Sequence, residues 1–350
     1  MKNGVGSLSD EFVRLAKLTL LFVFELTALL TIAGTTYEVI ASARDRRTYP
    51  PPGKLVDIGG RKLHINCVGQ GSPTVILDAG LGDFSSYWFL VQPEISRFTQ
   101  VCSYDRAGLG WGDPDSSPRT AHRIASDLDA LLSRTVPPPY ILVGHSGGGY
   151  WSRVYTSEHP DKVVGLVFVD SADKQQNRRM ARLADEDFEE SEREGRRTIR
   201  LMPFGIPRIL GWCNVFDVSD LPQIKPILPK LTALSCRKTA LETTRHEFEG
   251  FRNSDGEVTV LKPIPLVVLS HDPARWSSPA YVAQAQLIWD QMQGELTHLS
   301  PNSYRLIAKG SDHHIEVERP ELVVEAVRRV YDSATHNAPI QQPTTGGQVQ

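Results

Sequence analysis

Read for its hydrophobic pattern, the chain divides into three regimes. The first is a run with no polar face. From Leu18 to Ile40 it reads LTLLFVFELTALLTIAGTTYEVI, interrupted by Glu25 and, near its end, Glu38. A helix of that length covers the roughly 30 Å hydrocarbon core of a bilayer. A carboxylate inside it costs about 3 kcal/mol, which the surrounding leucines, phenylalanines and isoleucine offset. The pattern predicts an uncleaved single-span anchor within residues 1–43. A cleaved signal peptide competes, because Ala41-Ser42-Ala43 offers small residues for cleavage, but its apolar stretch would be shorter. Basic residues flank the run on both sides (Lys2, Arg14 and Lys17 before, Arg44, Arg46, Arg47 and Lys54 after), so charge asymmetry does not orient it.

The second regime alternates short β-rich runs with helical ones. After a Pro-rich linker at 44–54, expected to be stiff and extended, Lys54–Ile58 and Lys62–Cys67 flank Gly59-Gly60 and predict a β-hairpin. Further strands are expected at Thr74–Leu77, Thr99–Tyr104, Tyr140–Val143, Val163–Val169, Leu266–Leu269 and Tyr304–Ala308. Helical spacing falls at Phe84–Phe98, Ala121–Leu132, Tyr150–Glu158 and Glu321–Tyr331. Strands alternating with helices predict an α/β domain whose mostly parallel sheet is covered on both faces, built from residues 55–173 and 263–335.

The third regime interrupts the second. Residues 174–262 are rich in charge and helix formers, with scattered prolines, and predict a helical cap inserted between two strands. Its charged stretch, Arg182 to Arg197, reads as a solvated face, and the apolar residues from Ile199 to Ile227 are expected to face the main domain. The tail at 336–350 is rich in Gln, Thr and Gly and is expected to be disordered.

Within this frame, Gly144-His145-Ser146-Gly147-Gly148 carries the chemistry. It sits between an apolar strand and a helix, the context of a nucleophile elbow, where a strained turn projects a serine oxygen and small neighbours make room for it. The helix that follows aims unpaired N–H groups at an anion forming beside Ser146. Serine needs a base, and the base needs an orienting acid. Of ten histidines, His313 follows the last strand and a short loop, which puts it at the carboxyl edge of the sheet with Ser146. His145 and His314 are expected to point elsewhere, and His64 lies in the hairpin. The acid should fall between serine and histidine in the chain. Asp170 and Asp272 both end strands, and the pattern leaves the two open. A second oxyanion donor, beside the Gly147 N–H, is expected from Leu81 in the loop Asp78-Ala79-Gly80-Leu81-Gly82.

Composition narrows the partners. With a net charge of −3 and no basic stripe interleaved with aromatics, nothing points to nucleic acid. The four cysteines form no CxxC pair, so neither a metal site nor any other cofactor is expected. Two disulfides or buried thiols are both compatible with the count.

Five segments appear in order: VILDAGLG, SYDRAGLGWGDP, LVGHSGGG, LVFVDSAD and SDHHIEVERP. Together they resemble the α/β-hydrolase superfamily, in particular its membrane-anchored, capped members, over about residues 55–332. The resemblance implies an eight-stranded sheet with an antiparallel second strand, a triad of Ser146, His313 and an aspartate, and oxyanion donors at Leu81 and Gly147. It departs from the family at Ala79, where a histidine is usual, and at Asp312, where a glycine is usual. Members with the later acid carry it one residue beyond Asp272, which favours Asp170. In that sheet order Cys67 lies beside Cys102, and Cys213 and Cys236 both fall in the cap. Two bridges there would suit an extracytoplasmic domain. The implied activity is hydrolysis of a small-molecule ester or lipid-like substrate through an acyl-enzyme. Amide or peptide cleavage and non-catalytic binding on the same fold are the alternatives.

Overall fold

The computed structural model describes residues 4–213, 220–253, 261–274 and 280–341. Helix α1 (Gly4–Thr48) is, among the described residues, the one helix long and apolar enough to cross a membrane by length and composition. Its threonines satisfy their own hydroxyls: Thr19 donates to the Leu15 carbonyl and Thr27 to that of Val23, four residues back. The helix continues to Thr48, so the stiff linker expected at 44–54 shrinks to the residues around Pro50–Pro52. Nothing between Ala41 and Thr48 breaks a helix, and the prolines that could do so come afterwards.

Eight strands form one sheet: β1 (Lys54–Asp57), β2 (Lys62–Val68), β3 (Thr74–Asp78), β4 (Val101–Asp105), β5 (Tyr140–His145), β6 (Val163–Val169), β7 (Leu266–His271) and β8 (Ser303–Ala308). Their order is β1-β2-β4-β3-β5-β6-β7-β8, with β2 antiparallel to both neighbours and all later pairs parallel. Period-two alternation sorts the side chains. Ile76 and Leu142 face the core beneath α3 (Ala121–Leu132) and α4 (Gly147–Glu158). Val75, Leu77, Ile141 and Val143 face the opposite core, beneath α2 (Gln92–Ile95) and α11 (Pro320–His336).

The connection from β3 to β4 therefore crosses one face, and that from β4 to β5 the other. The chain order reverses at β3, which opens a crevice at the carboxyl ends of β3 and β5. Both disulfides implied by the resemblance are formed. Cys67 and Cys102 are directly opposed across β2 and β4, and Cys213 joins Cys236 in the insertion.

Some expectations fail for local reasons. The helix expected over Phe84–Phe98 is instead a 3₁₀ turn at Ser85–Trp88 followed by the short α2. The Ser85 N–H is taken by Asp105, and Pro93 in the first turn of α2 has no N–H to continue a helix through it. The tail is ordered past its expected start: Asn337 caps α11 in the left-handed region, and the Ile340 N–H donates to Asn302 at 2.9 Å. Residues 342–350 of that tail lie outside the described residues.

Between β6 and β7 the described chain is helical: α5 (Gln176–Leu201), a 3₁₀ turn at Met202–Phe204, α6 (Ile206–Ile209), α7 (Leu228–Ser235) and α8 (Lys238–Arg252). The remaining helices are α9 (Ala280–Leu296), between β7 and β8, and the single turn α10 (Ile315–Glu318). Of the charged stretch in α5, Arg193, Arg196 and Arg197 are exposed as expected, and the side chains of 182–191 lie outside the description. The apolar residues behave less uniformly than expected. Met202 and Ile224 are buried, whereas Ile209 is 61% and Leu210 55% exposed.

Candidate active site

Ser146 sits between β5 and α4 with φ 48° and ψ −120°, a strained conformation for a residue with a side chain. The residues two positions to either side must be glycine. A Cβ on Gly144 would come within 2.4 Å of the Gly149 backbone, and one on Gly148 within 2.3 Å of the Asp78 carbonyl. The turn is pinned by the Ser146 N–H to the Val169 carbonyl (3.0 Å) and by the Ala172 N–H to the Ser146 carbonyl (2.9 Å).

The expected oxyanion pair converges. A Cβ on Gly147 would stand 3.4 Å from the Leu81 nitrogen, so the two backbone donors are close neighbours at the start of α4. Arg106 holds the Leu81 loop from behind. Its guanidinium donates to the Asp78 carboxylate (2.8 Å) and to the carbonyls of Ala79 (2.8 Å) and Gly80 (2.6 Å). Because the C=O and N–H of one peptide point in opposite directions, the Gly80 carbonyl bonded to Arg106 turns the Leu81 N–H away from the guanidinium. Glu247 on α8 completes the clamp, accepting from Arg106 Nε (2.7 Å) and from the Gly82 N–H (3.1 Å). Burial pushes the Asp78 carboxyl up to about 6, against the opposing pull of Arg106.

Asp170 follows β6 with φ 43° and is fully buried. One carboxylate oxygen accepts from Nδ1 of His313 (2.6 Å) and Nδ1 of His271 (2.8 Å). The other accepts from Trp289 Nε1 (2.9 Å) and the His271 N–H (3.2 Å). Burial alone would raise its pKa, but the hydrogen bonds from His271 and His313 outweigh that and hold it well below the ordinary carboxylate range. With Nδ1 on Asp170, His313 has Nε2 for the cavity of about 210 Å³ that it lines together with Ser146.

Asp272 is placed differently. Its carboxylate accepts from the backbone of Gly310 (3.0 Å) and Ala274 (3.2 Å) and from Lys309 (3.4 Å), and these contacts hold its pKa low. It therefore caps the turns after β7 and β8, while Asp170 is the aspartate bonded to His313.

Three histidines behave in ways their sequence positions did not suggest. His145 is buried and donates from Nε2 to the His313 carbonyl (3.0 Å), steadying the loop that carries His313. Burial pushes its pKa down to about 3, so it is neutral at pH 7. His314 was expected to point away but lines the same cavity, its ring 4.9 Å from that of His145. His271 carries no motif in the sequence. It is the last residue of β7, at the same sheet edge that singled out His313, and that position was the available signal. Its Nε2 meets Gln286 at 2.8 Å, and although burial pulls its pKa down, Asp170 raises it overall. His64 is structural, paired with buried Asp105 at 2.8 Å.

Asp83, His145 and His314 also bring three potential metal-ligating atoms within 4.8 Å of one another. The His314 Nδ1 already meets Glu316 at 2.9 Å, and neutral His145 uses Nε2 as a donor. Burial raises the Asp83 carboxyl to about 6, which still leaves it mostly ionised at pH 7.

Residues 75–326 match the model of the Alpha/beta hydrolase family. The chain belongs to that family. An uncharacterized protein of Schizosaccharomyces pombe is 33% identical over 156 residues, which is 35% of this chain and 29% of that one. An AB hydrolase superfamily protein of Gibberella zeae is 24% identical, with 74% of this chain and 86% of that protein covered. The chain thus spans under a third of the first relative's length and most of the second's. Among solved structures, an esterase from Exiguobacterium antarcticum aligns with a TM-score of 0.57 at 16% identity, covering 81% of this chain and 100% of the esterase. That likeness speaks for the shared fold.

Proposed function

We propose that this protein is a serine hydrolase that cleaves carboxylic esters through an acyl-enzyme, tethered to a membrane by α1. Ser146 Oγ attacks the ester carbonyl while His313 Nε2 accepts its proton. Asp170 holds the imidazole through Nδ1 and stabilises the imidazolium that forms. The Leu81 and Gly147 N–H groups receive the negative charge on the tetrahedral intermediate, each worth about 3 kcal/mol in the transition state. The imidazolium then protonates the leaving alkoxide, and water, deprotonated by His313, releases the acyl group.

The observation that carries this reading is the 2.6 Å bond from His313 to a buried aspartate, made by a ring that shares a cavity with a strained elbow serine. Relatives of this fold that open epoxides or remove halides attack with an aspartate, so a serine at the elbow favours acyl transfer. The two disulfides favour an oxidising, extracytoplasmic location for the domain.

A fluorophosphonate probe tests the proposal directly. The folded protein should be labelled at Ser146, and Ser146→Ala should abolish labelling. No labelling, or labelling unchanged in Ser146→Ala, sinks the enzyme reading in favour of a binding protein. Hydrolysis of anilides at rates matching the corresponding esters would move the assignment to amide cleavage.

A further inference from the structure

The cap does not float free of α1. A Cβ on Gly34 would meet the Phe204 carbonyl at 2.3 Å, so the helix and the turn at Met202–Phe204 touch backbone to backbone. Arg208 on α6 grips Glu38 at 3.0 Å and Asp45 at 2.7 Å. From Lys17 to Glu38 the helix rises roughly 32 Å, the thickness of a bilayer core. If Lys17 marks one boundary of the hydrocarbon, Glu38 marks the other, and Arg208 fixes the segment 204–212 at that second boundary.

This is the segment whose apolar side chains are turned outward. Phe204 is 37%, Ile209 61%, Leu210 55% and Trp212 39% exposed. An apolar lip with a tryptophan, set at the level of the headgroups, has the composition of a membrane-interface contact. Arg193 and Arg197, exposed toward the carboxyl end of α5, stand ready for anionic headgroups, and Arg197 lies 5.7 Å over the Trp212 ring, whereas Arg196 is paired with Glu192 at 2.7 Å. Trp212 also lines the Ser146 cavity and an adjoining, mostly apolar cavity of about 560 Å³ beneath the cap.

We propose that the cap lip at residues 204–212 inserts into the bilayer beside α1, and that the site takes long-chain esters directly from the lipid phase, entering past Trp212. The choice of substrate rests on the hydrolase reading above, whereas the docking of the lip does not.

The test uses the full chain in vesicles of phosphatidylcholine and phosphatidylglycerol. All four native cysteines are in disulfides, so one added thiol can be labelled with an environment-sensitive fluorophore. A label on Leu210→Cys should be quenched by brominated phosphatidylcholine. A label on Asp161→Cys, an exposed residue just before β6 at the opposite sheet edge, should not. Leu210→Asp should lower turnover of a bilayer-resident long-chain ester about tenfold while leaving a short soluble ester unaffected. An unquenched label at 210, or equal loss on both esters, overturns the proposal. Quenching at 210 in a protein that hydrolyses neither ester and is not labelled at Ser146 would overturn the substrate while leaving the docked lip standing.

Discussion

Asp170 and Asp272 follow adjacent parallel strands, at the same edge of the sheet, and bond to the same loop, Asp170 at His313 and Asp272 at Gly310. They differ in what surrounds them. Asp170 is folded inward by its left-handed backbone and gathers His271, His313 and Trp289 around a carboxylate with no exposure to water. Asp272 turns toward the rim and takes backbone donors from Gly310 and Ala274. Position at a strand end thus makes a residue eligible for a site. A single backbone dihedral, and the donors that converge as a result, decide whether it joins one.

The sharpest way to break this comparison is to neutralise each carboxylate in turn. Asp170→Asn should cut kcat about 10⁴-fold, because the amide can stabilise the wrong tautomer of His313. Comparable losses in Asp170→Asn and Asp272→Asn, measured on one soluble ester, would erase the distinction drawn between them.

His271 refines it. Its folded pKa is raised, so its pairing with Asp170 contributes stability that is complete below about pH 6.5, its unfolded value, and fades as pH rises through the higher folded one. His271→Gln should remove that alkaline slope from Tm measured between pH 6 and 9, and lower kcat by about tenfold as Asp170 loses one of its anchors. A slope that survives the substitution would mean that another group carries it. Trp289→Phe, which keeps an aromatic side chain but removes one donor from Asp170, should cost about 1–2 kcal/mol in denaturant unfolding. The smallest effect belongs to Asp272→Asn, expected to change kcat less than about twofold, since its work is to cap an exposed turn.

The sheet and the first members of the site were legible in the sequence because their signals are local. Strand runs alternate with helical ones, glycines flank Ser146, and His313 follows a strand by a few residues. The support around them was not legible, because it is assembled across long separations. Arg106 meets Glu247 across 141 positions and Asp170 meets Trp289 across 119, with no pattern in either stretch announcing the partner. The outward-facing placement of Ile209 and Leu210 in the cap was not legible for a related reason. Apolarity says that a side chain avoids water, and what it packs against instead depends on where the neighbouring helix α1 lies.

Glu247 has a further consequence. It belongs to a cap helix, yet one of its oxygens holds the Gly82 N–H and both hold Arg106, which in turn binds the carbonyls of Ala79 and Gly80. Under the reading proposed above, a substrate that displaces α8 on entry tugs at the very backbone assigned to bear its negative charge. In the proposed mechanism, admission and reactivity are geared together through this one cap residue.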